Sequence, residues 1–277
     1  MYDRNFGFRF IAHSIVIGMI QVSKVTKAFS GRTVIRDISF AFETGKVNMI
    51  IGESGSGKTT LLKCMVGLNK IDSGEVLFDG RNFYELNFEG KKQIRKEIGM
   101  LFQGGALFDS LTVEENVIFP LSMFTKMSNS EKRERANFCL NRVNLSSANK
   151  LYPSELSGGM KKRVGLARAL AMSPDVVFYD EPTTGLDPVM SDVINELILQ
   201  TQSNRKVTSV VVTHDMHTVR RVADRVVMLY PLSRVAPQQP QLIFEGSPEE
   251  AFEASDPRVT SFVRGEAGAR LKEMYAA

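Results

Sequence analysis

The sequence predicts an α/β fold with a largely parallel sheet, on three observations. Short apolar strands alternate with helical stretches along the chain. One strand, Val47–Ile51, runs directly into Gly52-Glu53-Ser54-Gly55-Ser56-Gly57-Lys58-Thr59, which fits G-x-x-x-x-G-K-[ST] and is followed by a helical stretch over 60–67. A later strand, 176–179, ends in the acidic pair Asp180-Glu181, at the edge where a parallel sheet presents its carboxyl ends to ligand.

In chain order, the expected strands are 20–25, 47–51, 75–78, 98–102, 176–179, 209–212, 225–229 and 242–244. Between about 110 and 172 the strands stop, and the segment reads as an inserted helical lobe. It includes a charged amphipathic helix over 130–143 with Ser130 as its N-cap. The stretch 231–241, rich in Pro and Gln, reads as a long turn between strands and has no assigned role. In the tail, Ser255 or Asp256 caps a short helix, Pro257 suits its first turn, and Val259, Phe262 and Val263 share one face. That division gives an N-terminal extension at 1–18, a main domain at 19–254 and a tail at 255–277.

Composition excludes several function classes. Among 277 residues, 43% are hydrophobic and 24% charged, and 35 basic against 31 acidic residues leave a net charge of +4, too weak to argue for nucleic acid. Cys64 and Cys139 make no metal-ligand spacing and read as reduced thiols of a cytosolic protein. No apolar run approaches the roughly 18 residues that span a bilayer. Arg4 and Arg9 ahead of residues 11–20 resemble a weak signal peptide, but His13 interrupts the run and no small-residue cleavage site follows. Residues 1–18 therefore read as an extension or an over-long start.

The glycine-rich segment carries phosphate chemistry. Glycines at 52, 55 and 57 free the backbone so that successive N–H groups turn inward on phosphate oxygens, and the next helix adds its positive dipole end. Gly52, Glu53, Ser54, Gly55, Ser56, Gly57, Lys58, Thr59 and Thr60 form the expected ATP-binding run, with Lys58 reaching the β- and γ-phosphates and the Thr59 hydroxyl on Mg²⁺. Asp180 is expected to hold Mg²⁺ and Glu181 to act as general base towards the attacking water.

The string Leu156-Ser157-Gly158-Gly159-Met160-Lys161-Lys162-Arg163 narrows the choice. Ser157 is a natural N-cap, and the helix it opens aims its N-terminus at an anion. Here the chain resembles the nucleotide-binding subunits of ABC transporters, over roughly residues 20–250. The resemblance implies a phosphate-loop ABC ATPase that works as a two-fold homodimer, in which Ser157, Gly158, Gly159 and Asp187 act in trans on the partner's ATP. It further implies that Gln103 touches Mg²⁺ and senses the membrane subunit, that His214 contacts the γ-phosphate and supports Glu181, and that Phe29 stacks on adenine.

Gly104-Gly105-Ala106-Leu107-Phe108 after the glutamine, and 153–160 ending in Met160, look like the ATPases of the mammalian-cell-entry class of lipid transporters, including the system that maintains lipid asymmetry. Residues 256–262 resemble that subgroup's C-terminal extension. The subgroup implies phospholipid cargo, permease subunits, a lipid-carrier protein with a mammalian-cell-entry domain, a small regulatory cytosolic subunit and a peripheral place at the cytoplasmic face of the inner membrane. It also sets the opposite subunit beside the chain's own domain as the tail's packing partner. The alternative is the ATPase of a small-solute, amino-acid type importer, which commonly carries Gln where Met160 stands. One set of motifs and no heptads argue against ABC ATPases that act on ribosomes or DNA.

Overall fold

Strands Val47–Ile51, Val176–Asp180 and Thr208–Val212 are buried along their whole length, which only a sheet covered on both faces allows. In the computed structural model, residues 20–205 and 207–267 are described; the expected extension 1–18 lies outside them. The chain runs β1 (Ile20–Phe29), β2 (Arg32–Phe42), β3 (Val47–Ile51), α1 (Lys58–Met65), β4 (Ser73–Phe78), β5 (Arg81–Asn82), α2 (Phe88–Glu97), β6 (Ile98–Leu101), α3 (Val113–Phe124), α4 (Asn129–Arg142), α5 (Gly158–Leu170), β7 (Val176–Asp180), α6 (Pro188–Arg205), β8 (Thr208–Val212), α7 (Met216–Val222), β9 (Arg225–Leu229), β10 (Leu242–Gly246), α8 (Pro248–Phe252) and α9 (Pro257–Arg264).

These strands make two sheets, where the sequence predicts one. A six-stranded sheet in the order β10-β9-β3-β8-β7-β6 is parallel except for β10, and a four-stranded antiparallel sheet has the order β2-β1-β4-β5. The parallel expectation therefore holds for β3 and β6 to β9 but not for β1 and β4. The missing partner is β2, whose Ile38, Phe40 and Phe42 alternate inward. It joins β1 through Ser30 and Gly31, both at positive φ, the backbone that two-residue hairpins favour.

Period-two alternation sorts the central strands onto two cores. Ile50, Phe178, Val210 and Val212 face the antiparallel sheet and α1, whose Leu61, Leu62 and Met65 complete that core. Met49, Ile51, Tyr179 and Val211 face the other way, into a core shared with the helices between β6 and β7 and with Val259 and Val263 of α9. Val259 and Val263 on the apolar face of the tail helix are thus covered by their own chain. The cap expected at Ser130 is Ser128 instead: Ser128 accepts from the Glu131 N–H at 3.3 Å while the Glu131 carboxylate accepts from the Ser128 N–H at 2.6 Å. That reciprocal box needs an acid three residues after the cap, which Ser128 has and Ser130 lacks.

Candidate functional site

The turn out of β3 accepts only glycine at its first position. Gly52 has φ +144°, and a Cβ there would meet the Leu229 carbonyl oxygen of β9 at 2.1 Å. Gly57 sits at φ +93°, and a Cβ there would come a tight 3.1 Å from the Val34 carbonyl oxygen, whereas a Cβ on Gly55 would meet nothing within 4 Å. The loop is therefore pinned at both ends and open in the middle, leaving room for an anion. Because Gly57 already takes the left-handed turn, α1 starts at Lys58, two residues before the expected 60.

Lys58 is 7% exposed and donates from Nζ to the carbonyls of Gly52 at 2.8 Å and Glu53 at 3.1 Å. Burial weakens its hold on its proton, against the attraction of Glu181, Asp180 and Glu53. The Thr59 hydroxyl donates to Asp180 Oδ1 at 3.0 Å, and burial pushes the Asp180 carboxyl above its ordinary range. Glu181 sits at φ +49°, its carboxylate 2.9 Å from His214 Nδ1 and accepting from Thr184 Oγ1 at 3.0 Å.

A cleft of about 720 Å³ brings together Glu53, Ser54, Gly55, Gly57, Lys58, Thr59, Thr60, Gln103, Glu181 and His214, a size suited to a small-molecule ligand. Gly52 and Ser56 form the buried floor of the loop, and Asp180 reaches the cleft through Thr59. The donor set suits a triphosphate with a hard cation: backbone N–H groups and one ammonium face the phosphates, and Thr59 and Asp180 place two oxygens together. Among the described residues no group of three or more His, Cys, Asp or Glu forms a metal cage. Magnesium needs none, since it takes one or two protein oxygens and completes its shell from phosphates and water.

Five predicted residues lie away from this cleft. Ser157 and Gly158 are exposed at the start of α5, where Ser157 Oγ accepts from the Met160 N–H at 3.2 Å, and Gly159 packs against Met190. Asp187 accepts from the Met190 N–H at 2.9 Å, at the start of α6. Phe29 ends β1 at the hairpin tip, 44% exposed beneath the Lys27 ammonium, and does not line the cleft. The apolar lining comes from Val34 and from Phe262 of α9. Sequence reasoning missed Val34 with its strand and left Phe262 unassigned, although the tail's helical periodicity marked its face.

Segment 231–241 also contributes. Arg234 pairs with the Glu53 carboxylate at 2.5 Å, and Gln241, 1% exposed, donates to the Ser56 and Val34 carbonyls at 3.0 Å each while accepting from the Arg36 N–H at 2.9 Å. The Pro- and Gln-rich turn braces the phosphate loop from behind. Nothing in its composition carries that role, because the bonds span 181 residues or more of sequence.

The pattern described as ABC transporter matches residues 35–184. The chain is 38% identical over 259 residues, 94% of its own length and 95% of the relative's, to the intermembrane phospholipid transport system ATP-binding protein MlaF of Haemophilus influenzae. It is 35% identical over 246 residues, 89% of its length and 66% of the relative's, to the probable ribonucleotide transport ATP-binding protein mkl of Mycobacterium tuberculosis. Its fold is similar to the ATP-binding cassette MJ0796 in a dimeric post-hydrolysis state bound to ADP and Pi, with a TM-score of 0.74, 32% identity and coverage of 83% of this chain and 99% of that one. With its phosphate loop and Glu181 in one nucleotide-sized cleft and Asp180 bonded to Thr59 behind it, the chain belongs to the ABC transporter family as an ATP-hydrolysing, ATP-binding cassette.

Proposed function

We infer that the chain powers phospholipid transport between the inner membrane and the cell envelope as the ATPase subunit of a membrane transporter. Near-complete alignment with a phospholipid transport ATPase supports the cargo. One observation carries the mechanism: the phosphate loop and Glu181 line a cleft, with Asp180 bonded to its Thr59, that the chain's own Ser157, Gly158 and Asp187 do not line. A second copy would supply those groups, closing two Mg·ATP between two phosphate loops. MJ0796, bound to ADP and Pi as a dimer, supports that arrangement.

In the closed pair, Lys58 and the loop N–H groups hold the phosphates. Thr59, Asp180 and Gln103 would hold Mg²⁺, which neutralises charge on the β- and γ-oxygens. Glu181 takes the proton of the attacking water on a carboxylate oxygen. His214 uses Nδ1 to fix that carboxylate, which leaves Nε2 for the γ-phosphate, and Val34 and Phe262 supply apolar surface for the adenine. Coupling needs only that ATP prefer the closed pair over the open one.

The permease would dock beside Gln103. A groove lined by Phe102, Ala106, Phe108, Phe119 and Phe124 opens there. Phe108 is 42% exposed with its ring 4.5 Å from Phe119, and Asn116 fixes it by accepting from its N–H at 2.8 Å and donating to its carbonyl at 3.1 Å. Leu107 turns inward to the core. No described helix is long and apolar enough to cross a membrane, and a peripheral place at the cytoplasmic face, beside a permease, a lipid carrier and a regulatory subunit, accounts for that groove.

Glu181→Gln tests the assignment. ATP affinity should persist while hydrolysis falls about 10²-fold or more, and the permease complex in liposomes should lose ATP-driven transfer of a fluorescent glycerophospholipid. A parental hydrolysis rate would refute the base, and ATP-driven amino-acid uptake without lipid transfer would favour the small-solute importer.

A further inference from the structure

Lys162 stands one turn into α5, inside the run Lys161-Lys162-Arg163, yet it is 5% exposed. Its Nζ donates to three carbonyls, those of Glu181 at 3.3 Å, Pro182 at 2.9 Å and Thr184 at 2.5 Å. An ammonium has three donors and no acceptor, so the three bonds use it fully without a carboxylate partner. The carbonyls belong to the turn that presents Glu181, and Glu181 holds a left-handed φ of +49° that side-chain-bearing residues rarely adopt. Such a conformation persists only where its surroundings over-determine it. On the backbone side the turn is held by Lys162 and by the Glu181 N–H donating to the Val212 carbonyl at 2.9 Å.

The same helix is fastened elsewhere. Arg168 donates to the Gly105 and Ala106 carbonyls at 2.7 Å each, in the loop after Gln103. Its first residues follow Ser157, whose side chain caps it. The exposed cap at Ser157, the Glu181 turn and the loop after Gln103 are therefore joined by one helix of 13 residues.

We propose that Lys162 is a positioning residue for hydrolysis, tying α5 to the backbone turn that aims Glu181 at the attacking water. The inference rests on Glu181 being the base. Through the tie, displacement of α5 by a partner's nucleotide reaches this chain's own carboxylate.

The test uses the full chain with Lys162→Met, which keeps the stem and removes the donors. Affinity for a fluorescent ATP analogue should stay within about twofold, because the phosphate loop is untouched, while kcat falls roughly 10-fold to 10²-fold, the scale of a misplaced catalytic group. Lys162→Arg should recover most of the rate. In a Glu181→Gln background, Lys162→Met should change the residual rate by less than about twofold, since a residue acting only through Glu181 has nothing left to position. A single variant with the parental kcat, or a full further loss in the Glu181→Gln background, would overturn the proposal. Should the methionine variant fail to fold, Lys162→Gln, whose shorter side chain and two N–H donors cannot hold all three carbonyls, replaces it in the same cycle. A parental rate in Glu181→Gln alone would overturn the base itself, a result distinguishable from failure of the tie.

Discussion

Truncating the two valines that seat α9 separates two roles for the tail. Val259 and Val263 are 0% and 3% exposed and join the core beneath the parallel sheet. Each Val→Ala change removes two methyl-sized groups at about 0.8 kcal/mol apiece, so the double variant should lose about 3 kcal/mol before any cavity penalty. In a domain of this size each kcal/mol moves Tm by about 2–4 °C. The double variant should therefore melt about 6–12 °C lower by calorimetry if α9 unfolds with the rest. Sedimentation of the nucleotide-free protein should give the parental dimer Kd, because the valines face their own chain. An unchanged Tm with a weakened dimer would refute this reasoning and assign the face to the opposite subunit.

Phe108→Asp should leave Tm within a few degrees while weakening permease association at least about tenfold, the worth of one buried aromatic; co-purification from detergent reads it, and loss of folding would place Phe108 in the core instead. The Asp256 carboxyl, which accepts from the Arg258 guanidinium at 2.6 Å and from the Arg258 N–H at the start of α9, is held below the usual carboxylate range. A depressed folded value adds stability above the unfolded value of about 3.9 that is lost as pH falls through the folded one. Asp256→Asn, which still caps but cannot ionise, should flatten the acid limb of Tm against pH, and parallel curves would refute the pairing.

Much of this cleft was legible in the sequence because its chemistry is local. A phosphate loop needs glycines at fixed offsets and a lysine on the next helix, and the strand before the acids is apolar on every residue. The second sheet was harder to read: β1 and β4 resemble parallel strands until β2 pairs with β1 and β1 with β4, all antiparallel, and the β2 alternation of Ile38, Phe40 and Phe42 shows only over the strand's last residues. The remaining contacts were illegible for a physical reason. Lys162 reads as part of a solvated charge run, and only the fold brings three carbonyls from residues 181, 182 and 184 around it. Gln241 reads as a turn residue, and Phe262 as one side of a short helix. All three meet the site through side chains or carbonyls from distant elements, where periodicity and spacing carry no information. A motif can specify the groups that touch the reacting phosphate, because their offsets are set by one turn of backbone. The groups that hold those residues in register are set by packing between elements, so they emerge only when the elements are in place.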